Sequence, residues 1–114
     1  MKMAELSKEA QEELIQLQNL QRQLQIVSSQ RQRFDIDVIQ IDSALAELEK
    51  ADGKIYKAIG TLLLEAKGGE LKKEFNDRRK DVIARTETLK KQEEKLRIKA
   101  DELQKSLEKA LKNA

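Results

Sequence analysis

The sequence predicts a mainly α fold: a long antiparallel two-helix coiled coil with a short central β-hairpin, forming a single domain over 1–114. Three observations predict it. All four glycines fall between Gly53 and Gly69, proline is absent, and the apolar residues on either side recur every three and four positions. Two uninterrupted helical arms therefore flank one punctuated centre.

The first helix is expected over 4–51. Stepping by fours and threes from Leu6 gives Ala10, Glu13, Leu17, Leu20, Leu24, Val27, Arg31, Phe34, Val38, Ile41, Leu45 and Leu48, and only Glu13 and Arg31 interrupt the apolar series. Leu, Ala, Glu, Gln, Lys and Arg dominate the arm, and these residues lose least on entering a helix. At 1.5 Å per residue an arm of about 48 residues reaches about 70 Å.

The centre has a different chemistry. Ile55-Tyr-Lys-Ala-Ile59 and Leu62-Leu-Leu-Glu-Ala66 are short runs separated by Gly60-Thr61, the pattern of a β-hairpin over 54–66. Asp52-Gly53 and Gly68-Gly69 are expected to let the chain leave and re-enter helix. The second helix follows over 70–112. Read from Phe75, its seam is Arg79, Val82, Thr86, Leu89, Glu93, Leu96, Ala100, Leu103, Leu107 and Ala110, with the polar residues confined to a positions.

Folded back on each other, the arms take a register in which Leu45 meets Phe75. That register brings Arg31 to Glu93 and Asp37 to Arg85. Residues 1–51 carry six Lys/Arg against nine Asp/Glu, and residues 70–114 carry fourteen against ten, so an acidic arm is expected to recognise a basic one.

Composition narrows the function. Without cysteine and histidine there are no disulfides, no imidazole catalysis and no zinc site built on N or S ligands. No nucleophile–base constellation or phosphate-cradling glycine loop is present, so the chain reads as no enzyme, with no catalytic residue and no cofactor. The carboxylates at Asp35, Asp37, Glu93 and Glu94 lack Ca²⁺-loop spacing and read as solvated helix faces, so no metal is expected. Basic residues alternate with acidic ones without interleaved aromatics, against nucleic acid as a partner, and no apolar run is long enough for a membrane. The cysteine-free composition fits a reducing, cytoplasmic setting.

Surplus apolar residues remain in two places. Ile55, Tyr56, Ile59, Leu62, Leu63 and Leu64 form a sheet fragment that needs partners, since an isolated two-stranded hairpin is marginal in water. Ile36 and Ile39, at outward positions of the first arm, add to the apolar surface at that end. Near the termini, Leu14 and Leu111 fall at e and Ile15 at f, so apolar side chains spread beyond the seam where the helices end and fray.

Helix, the hairpin Ile55-Tyr-Lys-Ala-Ile-Gly60-Thr-Leu-Leu-Leu64, and a helix containing Leu89-Lys-Lys-Gln-Glu-Glu-Lys-Leu96 together resemble the β-class subunit of prefoldin in its archaeal form. The Gln-rich run Gln16-Leu-Gln-Asn-Leu-Gln-Arg-Gln-Leu-Gln25 is similar to that family too. The resemblance implies an ATP-independent molecular chaperone, a hetero-hexamer of two α and four β subunits whose hairpins assemble into a barrel platform. It further implies partners in the prefoldin α subunit, unfolded polypeptides and a group II chaperonin that receives them. Client contacts near the free tips would fall on Leu6, Ala10, Leu14, Ile15, Leu107, Ala110 and Leu111, and oligomer contacts on the six hairpin residues. The alternative is a structural or adaptor coiled coil that binds one specific partner without chaperone activity, though such a protein has no need of an apolar hairpin.

Overall fold

The computed structural model describes residues 7–113. Its elements are α1 (Lys8–Lys50), β1 (Ile55–Ile59), β2 (Leu62–Ala66) and α2 (Gly68–Lys112). The mainly α class with a two-stranded antiparallel hairpin between two long helices is the architecture the periodicity predicts. Helix α1 opens on Ser7, whose hydroxyl accepts the Ala10 amide at 3.1 Å and whose carbonyl accepts the Gln11 amide at 3.0 Å. A serine N-cap of this kind satisfies one of the donors that every helix start leaves orphaned. Helix α2 ends with Lys109 and Lys112 in its last turn, where cations suit the negative end of the helix dipole.

The hairpin pairs Ile55 with Ala66 through to Ile59 with Leu62, leaving Gly60-Thr61 as a two-residue turn. Gly60 has φ +60° and Thr61 has no positive φ, the signature of a II′ turn, whose first central residue is glycine because a Cβ is strained there. Gly68 departs from the linker role expected of Gly68-Gly69. It lies inside the first turn of α2, and a Cβ there would sit 3.1 Å from the Ile55 Cδ1 atom. The glycine is used for close approach of helix to strand.

Two compact units are formed. One combines the chain up to Arg31 with the chain from Thr88 onward; the other is Gln32–Glu87. In the first unit, Ala10, Leu17, Leu20, Ala100 and Leu107 form a buried cluster, with Leu14, Leu96, Leu103 and Ala110 packed against it. The helices there run antiparallel: Glu13 accepts the Ser106 hydroxyl at 2.9 Å, and Arg31 pairs with Glu93. In the second unit, Ile41, Leu71 and Val82 are buried. Its inter-helix bonds, Asp42 to Arg79 at 2.7 Å and Glu49 to Lys72 at 2.9 Å, bracket the expected meeting of Leu45 with Phe75. Hydrogen bonding and charge from Asp42 raise the Arg79 pKa above the ordinary arginine value.

The polar residues that interrupt the seam are each answered. Arg31 donates to Glu93, which also faces Arg97 at 3.7 Å, and the buried Thr86 hydroxyl donates to the Val82 carbonyl at 2.9 Å. No buried side-chain polar atom among the described residues lacks a partner. The Asp37–Arg85 pair is not formed. Arg85 instead reaches Asp81 one turn back on its own helix, at 3.2 Å, because an exposed guanidinium closes the shorter loop.

Glu93 is 5% exposed and sits beside Arg31 and Arg97. Replacing it alone (Glu93→Leu) is expected to cost about 1–3 kcal/mol by removing the buried carboxylate to which Arg31 donates. Arg31→Leu with Glu93→Leu is expected to restore or exceed the original stability. Urea unfolding followed by helical circular dichroism at fixed protein concentration reads both. A double variant weaker than the single would show that the pair contributes more than its desolvation costs.

Candidate functional site

Antiparallel pairing sorts the hairpin side chains onto two faces. Ile55, Lys57, Ile59, Leu62, Leu64 and Ala66 share one; Tyr56, Ala58, Leu63 and Glu65 share the other. The first face is anchored at one end only. Ile55 is half-buried beside Gly68, and the Lys57 ammonium reaches Glu74 of α2 at 2.6 Å. A groove of about 660 Å³ lies there, lined by Leu48, Ile55, Tyr56, Leu71 and Phe75 among others.

Toward the turn no described residue covers the hairpin. Ile59, Leu62 and Leu63 are 52%, 62% and 71% exposed, and Tyr56 and Leu64 are exposed as well. Both faces are therefore apolar and open, and both strands keep a free edge. Ile36 and Ile39, on α1 in the same unit, are exposed too. A concentration of apolar surface on this scale marks an interaction site.

The residues predicted near the termini separate into three groups. Leu6 lies outside the described residues. Ala10 and Leu107 occupy a positions and are sealed in the buried cluster, with Leu14 and Ala110 half-buried against it. Only Ile15 and Leu111 present exposed apolar side chains. In the folded chain seam geometry buries the a residues Ala10 and Leu107 even near the helix ends, half-buries Leu14 and Ala110, and leaves Ile15 and Leu111 open.

Two features escaped the periodicity. Leu71 is buried although it precedes the seam read from Phe75; its signal is its place one helical turn before that residue. The other is a groove of about 420 Å³ in the first unit, lined by Gln23, Ile26, Val27, Gln92, Lys95, Leu96 and Lys99. Ile26 lies at an outward c position in a Gln-rich stretch, where a single large apolar residue draws no notice from a heptad count.

Comparison with known proteins decides the family. The prefoldin subunit family model matches residues 11–114. The chain belongs to the prefoldin subunit family. Prefoldin subunit beta of Archaeoglobus fulgidus is 38% identical over 111 residues, 96% of either chain, and that of Sulfolobus acidocaldarius is 35% identical over 93% of this chain and 86% of the relative. The crystal structure of the prefoldin beta subunit from Thermococcus strain KS-1 matches with a TM-score of 0.84 at 30% identity, over 93% of this chain and 95% of that one. The chain is thus a prefoldin-type chaperone subunit of the β kind, from a non-enzymatic family whose members work within a prefoldin complex. Among the described residues no helix is long and apolar enough to cross a membrane.

If the hairpin's apolar surface faces outward in the free chain, replacing its most exposed residue leaves folding untouched. Leu63→Asp is expected to shift the unfolding free energy of the isolated chain by no more than about 0.5 kcal/mol. A loss several times larger in urea titration would place Leu63 in packing within the chain.

Proposed function

We propose that this prefoldin β-type chain acts, over its whole length 1–114, as one module of a cytoplasmic hetero-hexamer of two α and four β subunits. The hexamer holds unfolded polypeptides without nucleotide and releases them to a group II chaperonin. The observation that carries the assembly half of this reading is the uncovered hairpin. Ile55, Tyr56, Ile59, Leu62, Leu63 and Leu64 supply apolar side chains on both faces of a sheet with two open edges, and neighbouring hairpins satisfy all of these at once. An adaptor coiled coil with one fixed partner leaves that surface unexplained.

The holding half rests on the helix ends near the termini. Ile15 and Leu111 are exposed in the closed state. Fraying of the last turns adds Leu14 and Ala110, then Ala10 and Leu107 from the seam, and the family resemblance adds Leu6 to the same set. Each residue contributes about 1.5–3 kcal/mol if fully withdrawn from water, so one such end grips weakly. Several ends on one platform raise the affinity through effective concentration, while each contact still exchanges quickly. Such a grip needs no hydrolysis and no catalytic group.

Reconstitution with a two-hairpin α-type partner is expected to give one discrete hexamer by sedimentation, and Ile59→Asp with Leu63→Asp is expected to break it. The intact complex should suppress aggregation of a denatured client without nucleotide. Ile15→Ser with Leu111→Ser should weaken that suppression severalfold, and removal of 1–15 and 107–114 should abolish it, with the hexamer preserved in both. Dissolution of the hexamer by the terminal truncation would move the assembly surface to the helix ends; a complex that assembles but never delays aggregation would favour the adaptor reading.

A further inference from the structure

The groove between α1 and α2 in the first unit stands apart from the hairpin and from the terminal residues. Its floor is apolar, built from Ile26, Val27 and Leu96, and its rim carries the exposed ammonium groups of Lys95 and Lys99 with the amides of Gln23 and Gln92. Ile26 is 54% exposed, so its side chain is open to solvent beside the groove floor.

The charge around this groove is one-sided for a reason visible in the sequence. Residues 14–34 of α1 contain three arginines and no Asp or Glu. The expected neutralisation of a basic arm by an acidic one therefore operates in the second unit, through Asp42–Arg79 and Glu49–Lys72, and has no counterpart here. Arg97 is met by Glu93 and Glu94 of its own helix. Neither Lys95 nor Lys99 forms an ion pair among the described residues. The groove thus joins an apolar floor to two cations that form no ion pair among the described residues.

We infer that this groove is a second client-binding surface, and that its occupant is an extended segment of non-native polypeptide carrying an apolar side chain flanked by Asp or Glu. The inference rests on the chaperone reading above and adds a chemical preference to it. The volume, about 420 Å³, lies in the range of small-ligand clefts. Yet the groove is open, and its only polar groups are two amides and two ammonium ions on flexible stems. That equipment suits a chain segment of variable sequence: the floor takes the apolar side chain, the amides meet exposed backbone groups, and the lysines meet carboxylates. The lysine stems can cover part of the apolar floor in the empty state, which keeps it soluble until a client displaces them. An electrostatic rim also speeds capture of acidic clients and makes it dependent on ionic strength.

The test uses the reconstituted complex and three fluorescent disordered peptides of equal length, in which Leu and Phe are interspersed with Glu, Ser or Lys. The acidic peptide is expected to bind tightest, with an affinity that falls as salt rises. Lys95→Glu with Lys99→Glu, checked for unchanged helicity and hexamer mass, is expected to weaken acidic binding about tenfold and strengthen binding of the basic peptide. Ile26→Ser is expected to weaken both the acidic and the neutral peptide. The complex lacking 1–15 and 107–114 should retain charge-selective binding. Equal affinities for the three peptides, or an acidic affinity unmoved by the lysine reversals, would overturn the groove as a client site while general holding activity persisted. Failure of the wild-type complex to bind any of the peptides or to delay client aggregation would overturn both readings.

Discussion

Two helices cannot enclose anything completely, and this limit governs the rest of the molecule. Every seam residue has neighbours on its own helix and on the facing one, and solvent on both flanks. Among the described residues no large side chain falls below 2% exposure. A chain so poor in aromatics can still fold because stability is spread along many partial burials, each adding a modest amount. The same limit makes polar residues tolerable at a positions. Glu93 can sit in the seam because the flank next to it is open enough to admit both Arg31 and Arg97. Thr86 folds its hydroxyl back on the Val82 carbonyl, a solution that needs no partner helix at all.

What cannot be enclosed must be placed. An apolar side chain that misses the seam has only solvent or another molecule to meet, so its position is informative in a way that a core residue's is not. In the second unit the surplus is gathered on the hairpin, whose register sends apolar residues to both faces in turn. A sheet designed to lie on its own helices would be apolar on one face and polar on the other. Lys57, held by Glu74, ties one face to α2 without covering the strands toward the turn.

The seam was legible in the sequence because heptad spacing and burial report the same geometry. Ala10, Leu17, Leu20, Ile41, Val82, Thr86, Glu93, Ala100 and Leu107 all lie on the predicted a and d positions, and the register that sets Leu45 against Phe75 brings Arg31 to Glu93 as expected. Leu71 was missed because the seam was read from Phe75, although one further step of four back from that residue reaches it. Gly68 was misread for a related reason: a glycine pair suggests a turn, whereas here the missing Cβ makes room for Ile55, which is distant enough in sequence to leave no local sign. Asp37 and Arg85 failed as a pair because complementary charge on two arms does not specify which exposed partner a long side chain selects. The terminal residues were legible as apolar, but heptad position alone does not sort them, since Leu14 and Leu111 share the e position and only Leu111 is exposed.

Net charge is the feature most easily misjudged from totals. The excess of acid on α1 and of base on α2 suggests uniform complementarity, yet the acidic residues of α1 lie on either side of residues 14–34. Glutamine fills that interval. It keeps the helix intact, since its propensity matches that of Glu and Lys, and commits no charge to the facing helix. Lysines opposite such a stretch cost little in the folded state, because exposed ammonium groups remain hydrated and exposed ion pairs would have contributed only about 0–1 kcal/mol each. Stability therefore places almost no constraint on whether Lys95 and Lys99 are answered from within the chain. Their freedom, next to an exposed Ile26 that folding equally does not require, is what the proposed capture of an acidic, apolar segment would draw on.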